Sequence, residues 1–193
     1  MSDSLILDGT GKGYRAKVDE KNRLQVLCTS KTMAEAQTED GCGWFISTDF
    51  LTLSNAGVNP IFYFKNFGNT DVSLLELRLS LGAAGGDATS ICSFSIYSNP
   101  SDVAGGEIIY PVNKKIGDAK PFEFESKQAT GASPITASNL VSKVDVTDLL
   151  PGQFHDHDTY LVVPRGNAIL VAVELAGAQP IQARFSAVGY LEE

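Results

Sequence analysis

The sequence predicts an all-β fold, an antiparallel β-sandwich or jelly roll preceded by an extended N-terminal arm and hairpin. Apolar residues recur with period two over most of the chain, the signature of half-buried strands. Clusters of Gly, Pro, Asn and Asp cut these runs into short segments of near-regular length. A helical period is almost absent. The one helical candidate is Lys31 to Asp40, where Met33, Ala34, Ala36 and Gln37 fit two turns before Gly41.

At the N-terminus, Asp8 to Gly13 is too glycine-rich for a regular element and predicts a flexible arm. Ala16-Lys17-Val18 then faces Leu24-Gln25-Val26 across the turn Asp19 to Asn22, a hairpin at 14–27. A lone two-stranded hairpin is marginal in water, so it needs a surface to lie on. Residues 1–40 are therefore read as arm and hairpin, and 41–193 as the sandwich body.

Strands are expected in the body at 44–53, 60–66, 90–97, 106–111, 141–146, 159–164 and 182–191. Leu75, Leu77, Leu79 and Leu81 share one face, with Glu76, Arg78 and Ser80 on the other. Phe122 and Phe124 alternate with Glu123 and Glu125, and Ile169, Val171, Val173 and Leu175 with Leu170, Ala172 and Glu174. Turns fall at Asn55 to Gly57, Gly68-Asn69, Gly82 to Asp87, Asn99-Pro100, Pro151-Gly152 and Pro164 to Asn167.

Composition narrows the function classes. The 193 residues are 43% hydrophobic and 20% charged, an ordinary globular balance. The longest purely apolar run, Ala168 to Val173, is far below the roughly 20 residues of a membrane helix. Leu5-Ile6-Leu7 is too short for the apolar core of a secretory signal, so a cytoplasm-like compartment is expected. A net charge of −8 and a pI near 4.7 argue against a nucleic-acid surface. The sign is uneven. Residues 12–31 carry six basic groups against Asp19 and Glu20, a net of +4. Residues 41–193 carry nine basic and sixteen acidic groups, a net of −7. A basic arm lying against an acidic body, its own or a neighbour's, is the sharper reading; a solvated hairpin is the plainer one.

Few residues invite chemistry. Cys28, Cys42 and Cys92 are odd in number and widely spaced, which indicates neither a zinc ribbon nor a disulfide framework. Gly9-Thr10-Gly11-Lys12-Gly13 lacks the spacing of a phosphate-binding loop, with no Ser or Thr after the Lys. His155-Asp156-His157-Asp158 holds both histidines of the chain. On a strand the two imidazoles would share a face and could grip a metal, but Thr159 to Val163 offer no third ligand. A polar loop entering a strand is the simpler account, and no metal or cofactor is expected. Neither a G-x-S-x-G nucleophile nor a Ser/His/Asp set stands out, so no catalytic residue is assigned and no enzyme activity is expected. Trp44, Phe45, Phe62, Tyr63, Phe64, Phe67, Tyr97 and Tyr110 could stack on sugars, but at strand positions a core role is the better expectation.

Ile6 to Val26, ILDGTGKGYRAKVDEKNRLQV, resembles the start of small virion structural proteins of tailed bacteriophages. In these a D-G-x-G-x-G-x-x-A-K-V-D-x-x-N-R-L-x-V arm precedes a β-rich body. The resemblance continues in Thr52-Leu53-Ser54 and in Ile61 to Asn66, and covers roughly the first 80 residues. Ser47 to Phe50 departs from the Asn-Thr-Gly turn of that pattern. Membership would imply a non-enzymatic virion component made in the host cytoplasm. Within it, a capsid decoration (cement) protein is expected, with a neck, tail or baseplate accessory or a carbohydrate-binding sandwich for host adsorption as alternatives. Its partners would be the major capsid protein or other virion proteins and further copies of itself, a trimer being favoured; neither nucleic acid nor membrane is expected. The assembly residues would be Gly9, Gly11, Gly13, Tyr14, Arg15, Lys17, Arg23 and Leu24.

Overall fold

The computed structural model describes residues 17–18, 24–25, 33–53, 56–83, 92–100, 106–115, 117, 122–129, 139–146, 154–157, 160–177 and 181–192. The chain divides into two compact units, Met1–Thr32 and Met33–Glu193. In the first, β1 (Lys17–Val18) and β2 (Leu24–Gln25) pair antiparallel, with Lys17 opposite Gln25 and Val18 opposite Leu24. The second unit opens with α1 (Met33–Glu39), the predicted helix. It stops in the predicted place because Gly41 takes a φ of 81°. The Cys42 amide then donates to the Gln37 carbonyl and the Gly41 amide to Thr38, closing the last turn. This helix lies within the body unit, although the sequence grouped it with the arm.

Two antiparallel sheets make the body. The first runs in the order β11 (Asn139–Val146), β7 (Cys92–Ser98), β14 (Ala168–Leu175), β5 (Gly57–Asn66), β10 (Phe124–Gln128) and β8 (Glu107–Ile108). The second runs β12 (Phe154–His157), β6 (Val72–Ala83), β15 (Ile181–Leu191), β3 (Gly43–Ser47) and β9 (Val112–Asn113). β13 (Leu161–Val163) also pairs with β6, and β4 (Leu51–Leu53) with β15. The all-β sandwich expectation holds. Aromatic rings join the two sheets: Phe185 of β15 lies 4.7 Å from Phe62 of β5, and Trp44 of β3 stacks at 6.0 Å on Phe64. Such contacts, with the Leu and Val rows around them, put the core between the sheets.

Several strands differ from their sequence pattern for physical reasons. In β6, Leu77, Leu79 and Leu81 are buried as expected, but Leu75 is only half-buried and Leu74 takes its place. The ladder with β15 skips a residue there: Glu76 faces Val188 while Leu74 faces Gly189. This bulge flips the alternation by one position. In β14, Leu170 and Ala172 are as buried as Ile169, Val171 and Val173, so the strand is covered on both faces, not half-buried. Leu170 joins Tyr63, Ala129 and Ala168 in a second apolar cluster, on the side of the sheet away from the main core. The run 44–53 divides into β3 and β4 at Thr48, whose amide still bonds the Phe185 carbonyl while its Oγ1 accepts from the Phe185 amide at 2.9 Å. The expected strand 106–111 keeps Glu107–Ile108 in the ladder with β10, which ends at Ile109: its amide still bonds the in-register Ser126 carbonyl, but its own carbonyl takes the Ser126 hydroxyl. Asn66, 1% exposed, ties both sheets at one end of the body. Its Nδ2 donates to the Thr70 and Val163 carbonyls at 2.9 and 3.0 Å, and its Oδ1 accepts from the Gly68 amide.

Candidate assembly surface

Each sheet of the body ends in a short strand on the same flank, β8 on the first and β9 on the second. Residues 107–113 cross between them. Ile109 is partly buried against the core, and the residues alternating with it point away. Ile108 is 49% exposed, Tyr110 80% and Val112 64%. Phe45, opposite Val112 across the β3–β9 pair, extends this apolar ridge. The crossing is anchored by polar bonds that sequence alone could not reveal. The buried Gln128 amide donates to Glu107 at 2.9 Å and to Asp49 at 3.3 Å, and its Oε1 accepts from the Asp49 amide. Ser126 Oγ donates to the Ile109 carbonyl at 2.7 Å.

The opposite flank of the first sheet is β11, an edge strand with one ladder partner among the described residues, β7. Leu140, Val141 and Val144 are 52%, 48% and 44% exposed. Its charges lie along the sheet. Lys143 donates to Glu174 of β14 at 2.5 Å, and Asp145 accepts from Ser93 of β7 at 2.7 Å. The Glu174 bond holds the Lys143 ammonium more firmly charged than usual. At the C-terminal end, Ser73, Tyr160, Tyr190 and Glu192 form one hydrogen-bonded cluster. The Ser73 hydroxyl lowers the Tyr160 pKa. The bonds to Tyr190 and Glu192, with burial, outweigh it and push the phenol up to about 12.

The residues singled out from sequence are scattered. Gly9, Gly11, Gly13, Tyr14, Arg15 and Arg23 lie outside the described residues, whereas Lys17 and Leu24 sit on β1 and β2. His155 and His157 are not in a loop: they belong to β12, at register positions opposite Leu79 and Leu77 of β6. Among the described residues no group of three His, Cys, Asp or Glu could hold a metal. Cys42 and Cys92 are buried free thiols, and burial pushes Cys92 up to about 11. Of the candidate sugar-stacking rings, Trp44, Phe62, Tyr63 and Phe64 are buried, while Phe45, Phe67 and Tyr110 are exposed. Phe50, not foreseen, is exposed too. Cations sit over two of these rings: Lys65 Nζ is 4.8 Å from the centre of Phe67, and the Arg184 guanidinium 5.7 Å from that of Phe50. Among the described residues no helix is long and apolar enough to cross a membrane. Neither a scan against protein-family models nor a search of curated proteins returns a match to this chain.

Proposed function

We propose that the chain is a non-enzymatic structural component of a tailed-bacteriophage particle, a capsid decoration protein that binds the head surface through its N-terminal arm. The observation that carries this reading is the joining of the arm sequence, Ile6 to Val26, to a body with a particular strand order. Taking β3, β5, β6, β7, β11, β12 with β13, β14 and β15 as strands one to eight, the sheets read 1-8-3-6 and 2-7-4-5. That order supports a jelly roll, an architecture used by viral capsid domains and also by lectins and cupins. Fold alone does not fix function, and among these the arm sequence favours the virion reading. The acidic body suits an outward face, because a surface against packaged DNA would be basic. A closed threefold homo-oligomer fits this role, since sites on a capsid lattice are commonly threefold.

The rival within the virion is a neck, tail or baseplate accessory. A carbohydrate-binding role in host adsorption would rest on the exposed rings of Tyr110 and Phe45, since those of Phe50 and Phe67 already carry a cation. The test is deletion of residues 1–27, followed by a melting curve and a particle-binding assay. The body should melt as a cooperative unit and particle binding should be lost. Unimpaired binding would refute the arm as anchor, and an unfolded body would show that the arm belongs to its core.

A further inference from the structure

We propose that β11 is a self-association edge, across which two copies of the chain join their first sheets about a twofold axis at Val144. The inference stands apart from the virion reading and needs neither the arm nor a capsid. An edge strand can template a second strand, and proteins blunt such edges with bulges, short length, Pro or charged side chains set outward or inward. Here the single bulge lies at Val141, leaving Ser142–Val146 as a regular run of five residues. The two charges on that run, Lys143 and Asp145, are bonded over the sheet to Glu174 and Ser93, and being opposite in sign they oppose foreign strands more than a second copy of this one. Val144 faces Phe94 of the core and Val146 faces Cys92, yet Val144 remains 44% exposed while Val146 is buried. The core-facing side of β11 is thus left open at Val144.

What fits this edge is the edge itself. The regular run is symmetric about Val144. Antiparallel pairing centred there sets Val144 against Val144 of the second copy and Ser142 against Val146. It also sets Lys143 against Asp145 twice, once on each side of the axis. Centring the pair on Lys143 would bring two ammonium groups face to face, which is unfavourable in a strand pair. A twofold contact of this kind is isologous and closes on itself, so it yields a pair and not a filament. The two first sheets become one continuous sheet, and both Val144 side chains leave water.

The test uses the full chain and measures molar mass by light scattering and sedimentation over a range of concentrations. Val144→Lys places two ammonium groups on the axis and should halve the mass, whether from two copies to one or from six to three. Lys143→Asp and Asp145→Lys should each weaken pairing by about tenfold or more, because symmetry repeats each substitution and turns both cross-strand pairs repulsive. The double substitution Lys143→Asp with Asp145→Lys restores both pairs and should recover most of the association. Melting curves of the variants should stay near that of the parent, since these side chains are exposed. A wild-type mass of one or three copies up to about 1 mM would overturn the proposal. So would a mass unaffected by Val144→Lys, or a double charge exchange that fails to restore pairing. If Tyr110→Asp, on the opposite flank, dissociates the pair while the β11 variants do not, the ridge at 108–112 is the contact and β11 is not.

Discussion

Gly189→Ala tests the packing of the second sheet at its tightest point. Gly189 sits at the bulge between β15 and β6, directly beneath the only tryptophan of the chain. A Cβ there would lie 2.3 Å from the Ser73 carbonyl oxygen and 2.5 Å from Trp44 Cζ2. The carbonyl belongs to the β6 backbone and cannot swing aside without breaking its ladder. The indole must then tilt, disturbing its stack on Phe64 and its 5.1 Å contact with Phe124. Overpacking a core costs about 1–3 kcal/mol, and each aromatic pair adds about 0.5–1.5 kcal/mol. We expect a loss of about 3 kcal/mol, which lowers Tm by about 6–12 °C for a domain of this size. Trp44 reports on the site itself, so thermal unfolding followed by its fluorescence should show both a lower midpoint and an altered native spectrum. Gly177→Ala is the control: no atom lies within 4 Å of the added Cβ, and the expected change is below about 0.5 kcal/mol. A Gly189→Ala protein that melts within a degree of the parent, with an unchanged spectrum, would refute the packing argument.

Asn66→Ala removes the side-chain bonds to the Thr70 and Val163 carbonyls and the Gly68 amide, the last two buried, for an expected loss of about 2–4 kcal/mol in urea unfolding. Asn66→Asp should not rescue it, because a carboxylate would face two carbonyl oxygens. The Cys92 thiol, pushed up from 9.0 to about 11 by burial, holds its proton more tightly in the folded chain. Its contribution is therefore complete below about pH 9 and is lost as pH rises through about 11. Denaturant midpoints at pH 8 and 10.5 should diverge more in the parent than in Cys92→Ala; equal divergence would contradict this. Elemental analysis of purified protein should find well under one zinc or iron per chain, and one per chain with stability lost on chelation would overturn the reading of His155 and His157.

The alternation at Leu77 to Leu81 and at Ile169 to Val173 was enough to indicate strands and their inward rows, because a period of two depends only on neighbours in sequence. Leu75 misled because a bulge is decided by the partner strand, through Gly189, more than a hundred residues away. Leu170 and Ala172 look outward in sequence and are buried because β14 lies in the middle of its sheet, with cover on both sides. The strand at Phe154–His157 was hidden by its polarity: an edge strand can be built of charged and imidazole side chains without an apolar row. Of the assembly surfaces, neither could be read in advance. Tyr110 and Val144 look like core residues until the strand order places them on the flanks, and the Asp49–Gln128–Glu107 bonds join three distant positions. The arm residues that the sequence favoured have no counterpart among the described contacts, apart from Lys17 and Leu24.

The position of β15 has a consequence for the order of events during synthesis. This strand ends at Leu191, yet it lies in the middle of the second sheet, bonded to β6 on one side and to β3 and β4 on the other. Every residue up to Leu191 must be synthesised before that place can be filled. Until then the facing edges of β6 and β3, and the apolar row that Phe185 will cover, remain open to other nascent chains. Closing so many distant pairings in one step predicts slow, all-or-none acquisition of structure once β15 has been made. Truncation after Ala183 would remove eight of the eleven residues of the central strand and leave two unpaired edges in place of one closed sheet.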